Sequence, residues 1–222
     1  MKEFKMLDMF SGLGGASQAM EEDPNWEVMT IDFKEKFEAD ICADVIDLEP
    51  EDFEKNYNLI WASPPCDRFS VSQISKYWTR ENGILIPKTK ATVEKIGLVY
   101  HSLWLIGELN PRWWFLENPR GMLRKIIGEP VSTVTYCQYG SKFMKPTDLW
   151  GVHPPSFIYK KCNPNDECHI SNPRGAGIFR DETKKGDYKK KAVRSKIPYG
   201  LSEAIKEAVE SPESRTRLEE FC

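Results

Sequence analysis

The chain has no long apolar run at its amino end, where MKEFKMLDMF breaks its hydrophobic residues with charge. Neither a secretory leader nor a membrane span fits there, since each needs an unbroken apolar segment, and a cytoplasmic protein is expected. Excess charge of either sign is also lacking. Lys and Arg number 31 against 34 Asp and Glu, a formal net charge of -3. That excludes a generic polycation, so any contact with a polyanion must come from a local basic patch, the best of which is 184–196. The 6 cysteines (Cys42, Cys66, Cys137, Cys162, Cys168 and Cys222) lack the dense spacing of a disulfide scaffold. A reducing compartment keeps them as thiols, open to thiolate chemistry. Internal repeats are absent as well. What is present is 222 residues with 40% hydrophobic content, enough for one domain with a sizeable core.

Short apolar runs at 4–10, 27–32, 58–63, 112–117 and 132–137 read as buried parallel strands. Between them 14–22 and 90–109 read as helices, and the second sets Val93, Ile96, Tyr100, Leu103 and Trp104 on one stripe. Strand and helix alternate as far as residue 137, which predicts a doubly wound, mostly parallel α/β sheet with ligands beyond the carboxyl strand ends. From 141 to 196 the sequence reads as irregular, rich in Pro, Gly, Lys and Asn. Residues 201–210 resume a helix, and a polar tail follows.

The chemistry-bearing residues fall at the expected strand ends. The first strand runs into Phe10-Ser11-Gly12-Leu13-Gly14-Gly15, a turn that lets a ligand approach backbone N–H groups. A tight turn without a ligand is the bland alternative. Asp32 ends the second strand with a carboxylate suited to two ribose hydroxyls, and Phe33 offers a flat face for adenine. Asp44 could accept from an adenine amine or simply cap a turn. The third strand ends in Ser63-Pro64-Pro65-Cys66, where two prolines make a stiff arm presenting the thiol. Glu117-Asn118-Pro119 ends the next strand, so a thiol and a carboxyl from separate strands could meet over one small planar substrate.

Taken together, DMFSGLGG, SPPC and ENPR, each after a strand and in this order, resemble the DNA cytosine carbon-5 methyltransferase family over about residues 4–142. Compact phage- or prophage-type members are the nearest in character. The resemblance implies a Rossmann-like fold and S-adenosylmethionine as cofactor, leaving S-adenosylhomocysteine. Phe10, Gly12, Gly14, Asp32, Phe33, Asp44, Val45 and Pro64 would line its pocket. Cys66 would add to carbon 6 of a cytosine extruded from double-stranded DNA, and Glu117 would hold the base, with no metal required. An RNA cytosine, or an impaired homologue that only binds DNA, is the alternative.

One departure concerns the family's Gln-x-Arg-x-Arg strand. The match here is Gln138-Tyr139-Gly140-Ser141-Lys142, in which Lys142 keeps the charge without the guanidinium fork. It would hold a phosphate or the cytosine carbonyl. Pro65, Arg68, Ser70, Asn118 and Gln138 are further candidates for substrate contact, and the loop 67–89, with Lys76, for closing over the base. The division expected is 1–142 as catalytic core, 143–193 as a reduced target-recognition region and 194–222 as a returning helix and tail. Lys184, Lys185 and Arg194 would meet DNA phosphates, and a protein partner would supply any specificity so short a region lacks. Cys162, Cys168 and His169, with Cys137 or His153, are candidate zinc ligands, but the spacing matches no standard finger and structural thiols are expected.

Overall fold

The computed structural model describes residues 2–163, 166–169 and 196–216. Six strands make the main sheet: β1 Phe4–Met9, β2 Trp26–Ile31, β3 Leu59–Ala62, β6 Trp113–Pro119, β7 Ser132–Thr135 and β8 Pro146–Val152. A separate hairpin pairs β4 Trp78–Glu81 with β5 Ile84–Pro87. The helices are α1 Gln18–Glu21, α2 Ile74–Tyr77, α3 Lys90–Leu109, α4 Tyr199–Glu210 and α5 Pro212–Thr216. The main sheet runs β2-β1-β3-β6-β8-β7, with the first four strands parallel to one another. β8 pairs antiparallel with both β6 and β7.

Period-2 alternation sends successive side chains to opposite faces and so divides the core. Phe4, Met6, Leu59, Trp61, Trp113 and Phe115 face α1 and α4, where Met20, Leu201, Ile205 and Val209 cover them. Leu7, Met9, Ile60, Ala62 and Leu116 face α3, which buries Leu98, Val99, Leu105, Ile106 and Leu109. Helices therefore lie on both faces of a mixed, mostly parallel sheet.

Four expectations change. Strand β7 is antiparallel, not parallel. The stretch from 141 is not irregular throughout, since β8 lies in it and the sheet runs on past residue 142. Its polar Thr147 and Asp148 disguised it. Asp148 is buried because Arg124 grips it with a two-pronged ion pair (2.6 and 2.5 Å) and the Thr133 hydroxyl donates at 2.8 Å. Crossovers contain fewer α-helices than expected: 3-10 turns at Glu35–Phe37, Val45–Asp47 and Pro50–Asp52 join β2 to β3. Finally, α3 has the expected bounds, but Val93, Tyr100 and Trp104 are 52%, 50% and 41% exposed. The helix is apolar on more than one side, and the slimmer face with Ser102 lies against the sheet, where Ser102 Oγ donates to the Leu98 carbonyl (2.8 Å).

Candidate functional site

The carboxyl ends of β1, β2, β3 and β6 open onto a cleft of about 540 Å3, the size of a small-ligand site. On its first wall the chain leaves β1 through Phe10, Gly12 and Gly14, all in the left-handed region at φ +67°, +57° and +63°. A phenylalanine held there is a strained residue of the kind ligand sites retain. Asp32 fixes this turn: it is buried and accepts from Gly12 N (3.1 Å) and Lys34 N (2.9 Å). Phe33 is 50% exposed, with Lys34 Nζ 4.6 Å from its ring centre.

Helix α1 begins only at Gln18, later than expected, because the turn is committed to a close contact. A Cβ on Gly15 would lie 2.7 Å from both the backbone N and O of Ile197, so only glycine lets the carboxyl-terminal segment close this wall. Lys196 and Ile197 line the cleft as a result.

The opposite wall is the Ser63–Cys66 arm. Buried Asn118 donates from Nδ2 to the Pro64 carbonyl (2.8 Å), and Cys66 opens a 3-10 turn whose carbonyl accepts from Phe69 N and Ser70 N (both 3.1 Å). Behind it, Met122 N donates to the Phe69 carbonyl (2.7 Å), an approach that a Cβ on Gly121, 2.1 Å from the same oxygen, would block. Asn118 and Gly121 thus lock the thiol-bearing turn onto the end of β6.

Glu117 sits one residue earlier on the opposite face of β6 from Asn118, and lines the cleft with Cys66. Its Oε1 accepts from the Tyr136 hydroxyl (2.9 Å) and lies 3.8 Å from Lys145 Nζ. Burial first, then Glu117 and more weakly Cys66, hold the Tyr136 phenol well above its ordinary range, so it remains a donor. Lys145 Nζ is also 4.4 Å from the Tyr136 ring centre.

Asp8 is a further acid in this cleft. It continues the Phe4, Met6 face of β1, is buried, and has no hydrogen-bond partner on either oxygen. Burial, with the charges of Glu21 and Asp32 adding and Ser17 opposing, pushes its carboxyl up to about 8. Ser17 Oγ itself is turned to Glu21 (2.6 Å).

The cleft gathers Phe10, Gly12, Asp32, Phe33, Pro64, Pro65, Cys66 and Glu117 from the residues read in the sequence. Others stand apart. Gly14 shapes the turn without lining the cleft. Asp44 caps the 3-10 turn that follows, accepting from Ile46 N (3.4 Å), and Val45 is buried in the α3 core. Arg68 lies over the Tyr77 ring (3.9 Å), and Ser70 bridges to Gly121. The stretch 67–89 is not an open loop but holds α2 and the β4–β5 hairpin. Gln138 lines a separate groove of about 650 Å3 with Tyr139 and Tyr199. Lys142 is exposed and outside both, whereas Lys145 lines the cleft. Lys184, Lys185 and Arg194 lie outside the described residues.

Sequence reading missed Asp8, Tyr136 and Lys145. Asp8 had a signal, a carboxylate on a strand face otherwise apolar. Lys145 had none until β8 was known.

With this geometry in place, residues 4–135 match the family of C-5 cytosine-specific DNA methylases. The chain belongs to that family. It is 29% identical over 216 residues to a probable DNA (cytosine-5)-methyltransferase of Frog virus 3 (isolate Goorha), covering 90% of this chain and 96% of the viral protein. Two solved structures are also similar. One is a candidate DNA modification methyltransferase encoded within an E. coli prophage, at 17% identity and TM-score 0.48, covering 72% of this chain. The other is the Entamoeba histolytica methyltransferase EhMeth, at 16% and 0.49, covering 73%. The chain spans 52% and 58% of those two proteins. At such scores the fold rests on the strand order above. Membership implies S-adenosylmethionine as methyl donor. No described helix is long and apolar enough to cross a membrane.

Proposed function

We propose that this chain transfers a methyl group to carbon 5 of cytosine in double-stranded DNA, with Cys66 as nucleophile and Glu117 as the acid that holds the base. The observation that carries this reading is one cleft, at the ends of parallel strands, lined at once by a glycine turn, a buried ribose-type acid, a thiol and a second carboxyl.

S-adenosylmethionine, when bound, supplies an electrophilic methyl group. The residues present fit it. Gly12 and Asp32 suit the ribose and Phe33 the adenine face, while the unpartnered Asp8 carboxylate suits the cationic methionine end. Across the cleft, the Cys66 thiolate adds to carbon 6 of the extruded cytosine, and the electron pair of the 5,6 double bond moves into the ring. Glu117 keeps a proton at ring nitrogen 3 and accepts from the exocyclic amine, its carboxyl oriented by Tyr136. Lys145 takes the role first given to Lys142, placing positive charge where the cytosine carbonyl becomes more negative. Once carbon 5 carries the methyl group, a water molecule takes its remaining proton, the pair from that carbon–hydrogen bond re-forms the 5,6 double bond, and the carbon–sulfur pair leaves with Cys66 as the restored thiolate.

Labelled-methyl transfer to duplex DNA, with cytosine carbon 5 as the modified atom, tests this reading. Transfer confined to RNA would remove the substrate, and binding of DNA without turnover would remove the activity.

Two further outcomes follow. Lys145→Met lowers kcat by about a hundredfold, the usual loss of one transition-state donor, whereas Lys142→Ala stays within about twofold. A reversed pair of rates would return the role to Lys142. The second concerns Asp8. Its carboxyl titrates at about 8 in the folded protein and near 4 when unfolded. Between these values folding takes up a proton, so stability present at low pH is lost as pH rises to about 8. Asp8→Asn removes this slope and melts higher than the parent at pH 8, while its affinity for S-adenosylmethionine falls at least about tenfold. Melting curves from pH 5 to 9 and calorimetric titration check both, and an unchanged affinity would take Asp8 out of the pocket.

A further inference from the structure

We infer that Cys137, Cys162, Cys168 and His169 form a structural zinc site of the Cys3His type. One ligand atom from each lies within 4.8 Å of all the others. A tetrahedral zinc with ordinary bond lengths sets its sulfurs about 3.75 Å apart and its sulfur and nitrogen about 3.55 Å apart. The separations are 3.7 Å for Cys168 Sγ to Cys137 Sγ, 3.8 Å for Cys162 Sγ to His169 Nδ1 and 3.5 Å for Cys168 Sγ to His169 Nδ1. Cys137 and Cys162 Sγ are closer, at 3.0 Å, and open slightly around an ion. None of the described cysteines is in a disulfide. Sequence spacing hid the site because Cys137 comes from the 3-10 turn after β7, while the other three ligands lie beyond β8. His153, the other histidine considered, is instead stacked on Phe115 (ring centres 4.0 Å apart).

The surroundings support the ligands. Gln138 Nε2 donates to Cys168 Sγ (3.2 Å), and Thr135 Oγ1 accepts from Cys162 N (2.9 Å), the kind of outer contact that orients metal-bound thiolates. Four protein ligands close the coordination sphere, and none of the four lines the cleft with Cys66, so the ion is structural and takes no part in methyl transfer. On binding, each of the three thiols gives up its proton to solvent and keeps its electron pair for the metal, while His169 coordinates as neutral imidazole. The site ties Cys162, Cys168 and His169 to the 3-10 turn that follows β7.

The full chain, expressed with added zinc and purified without chelator, tests this by elemental analysis. About one zinc per chain is expected, unchanged in Cys66→Ser and lost in the Cys162→Ser, Cys168→Ser double variant. His169→Cys, which keeps a fourth ligand, retains the ion. Cobalt exchanged into the site gives the intense visible absorption of tetrahedral thiolate coordination, and zinc bleaches it. Trace metal in the parent protein with Cys137, Cys162 and Cys168 all open to alkylation would overturn the proposal. So would a Cys137–Cys162 disulfide in the metal-free chain as purified, or full zinc content in the double variant.

Discussion

Cys66→Ala reduces methyl transfer to duplex DNA by at least about ten-thousandfold, because no neighbouring group can add to carbon 6 in its place. Without that addition carbon 5 stays too electron-poor to take the methyl group, however well the base and cofactor are held. The same substitution abolishes the denaturation-resistant complex that the parent protein forms with duplex DNA bearing 5-fluorocytosine. In the parent, fluorine cannot leave as the carbon-5 proton does, so the carbon–sulfur bond persists. The turn itself survives: Asn118 holds the Pro64 carbonyl, and the contacts behind Cys66 are made by backbone. Melting therefore changes little, and a variant that still formed the complex on a denaturing gel would end the assignment.

Glu117→Gln slows the reaction by about a hundred- to ten-thousandfold, the range of a positioned acid. The amide keeps the shape and can accept from the Tyr136 hydroxyl, so the cleft stays assembled, but it holds no transferable proton at ring nitrogen 3. The loss falls on kcat in single-turnover measurements, with DNA affinity within a few-fold of the parent. A change confined to KM would make Glu117 a binding residue only.

Much of the fold could be read from the sequence because its strong signals are local. Helix 90–109 has a threonine cap accepting from Thr92 N (3.2 Å) and a left-handed Asn110 before Pro111, and both bounds were legible. Its orientation was not, because an apolar surface on several sides leaves the choice of face to the sheet. β8 was hidden for a different reason: its buried Asp148 finds its partners at Arg124 and Thr133, neither of which periodicity can reveal. The thiol, the glycine turn and Glu117 were legible as motifs after strands. Lys145 reaches the cleft, and Tyr136 the Glu117 carboxyl, through strand pairing far along the chain, so Lys142 drew attention by its place in a motif.

The contact of Gly15 with Ile197 has a consequence for synthesis. The cleft's first wall begins at residues 10–15, yet it is finished by residues translated long after them, with Ser202 donating to the Ala16 carbonyl (2.6 Å) and accepting from Ala19 N (3.0 Å). A nascent chain on the ribosome already holds Cys66 and Glu117 but has an open-sided cleft until helix α4 emerges. Translation products that stop before α4 would thus carry Cys66 and Glu117 without the wall that closes the cleft around them.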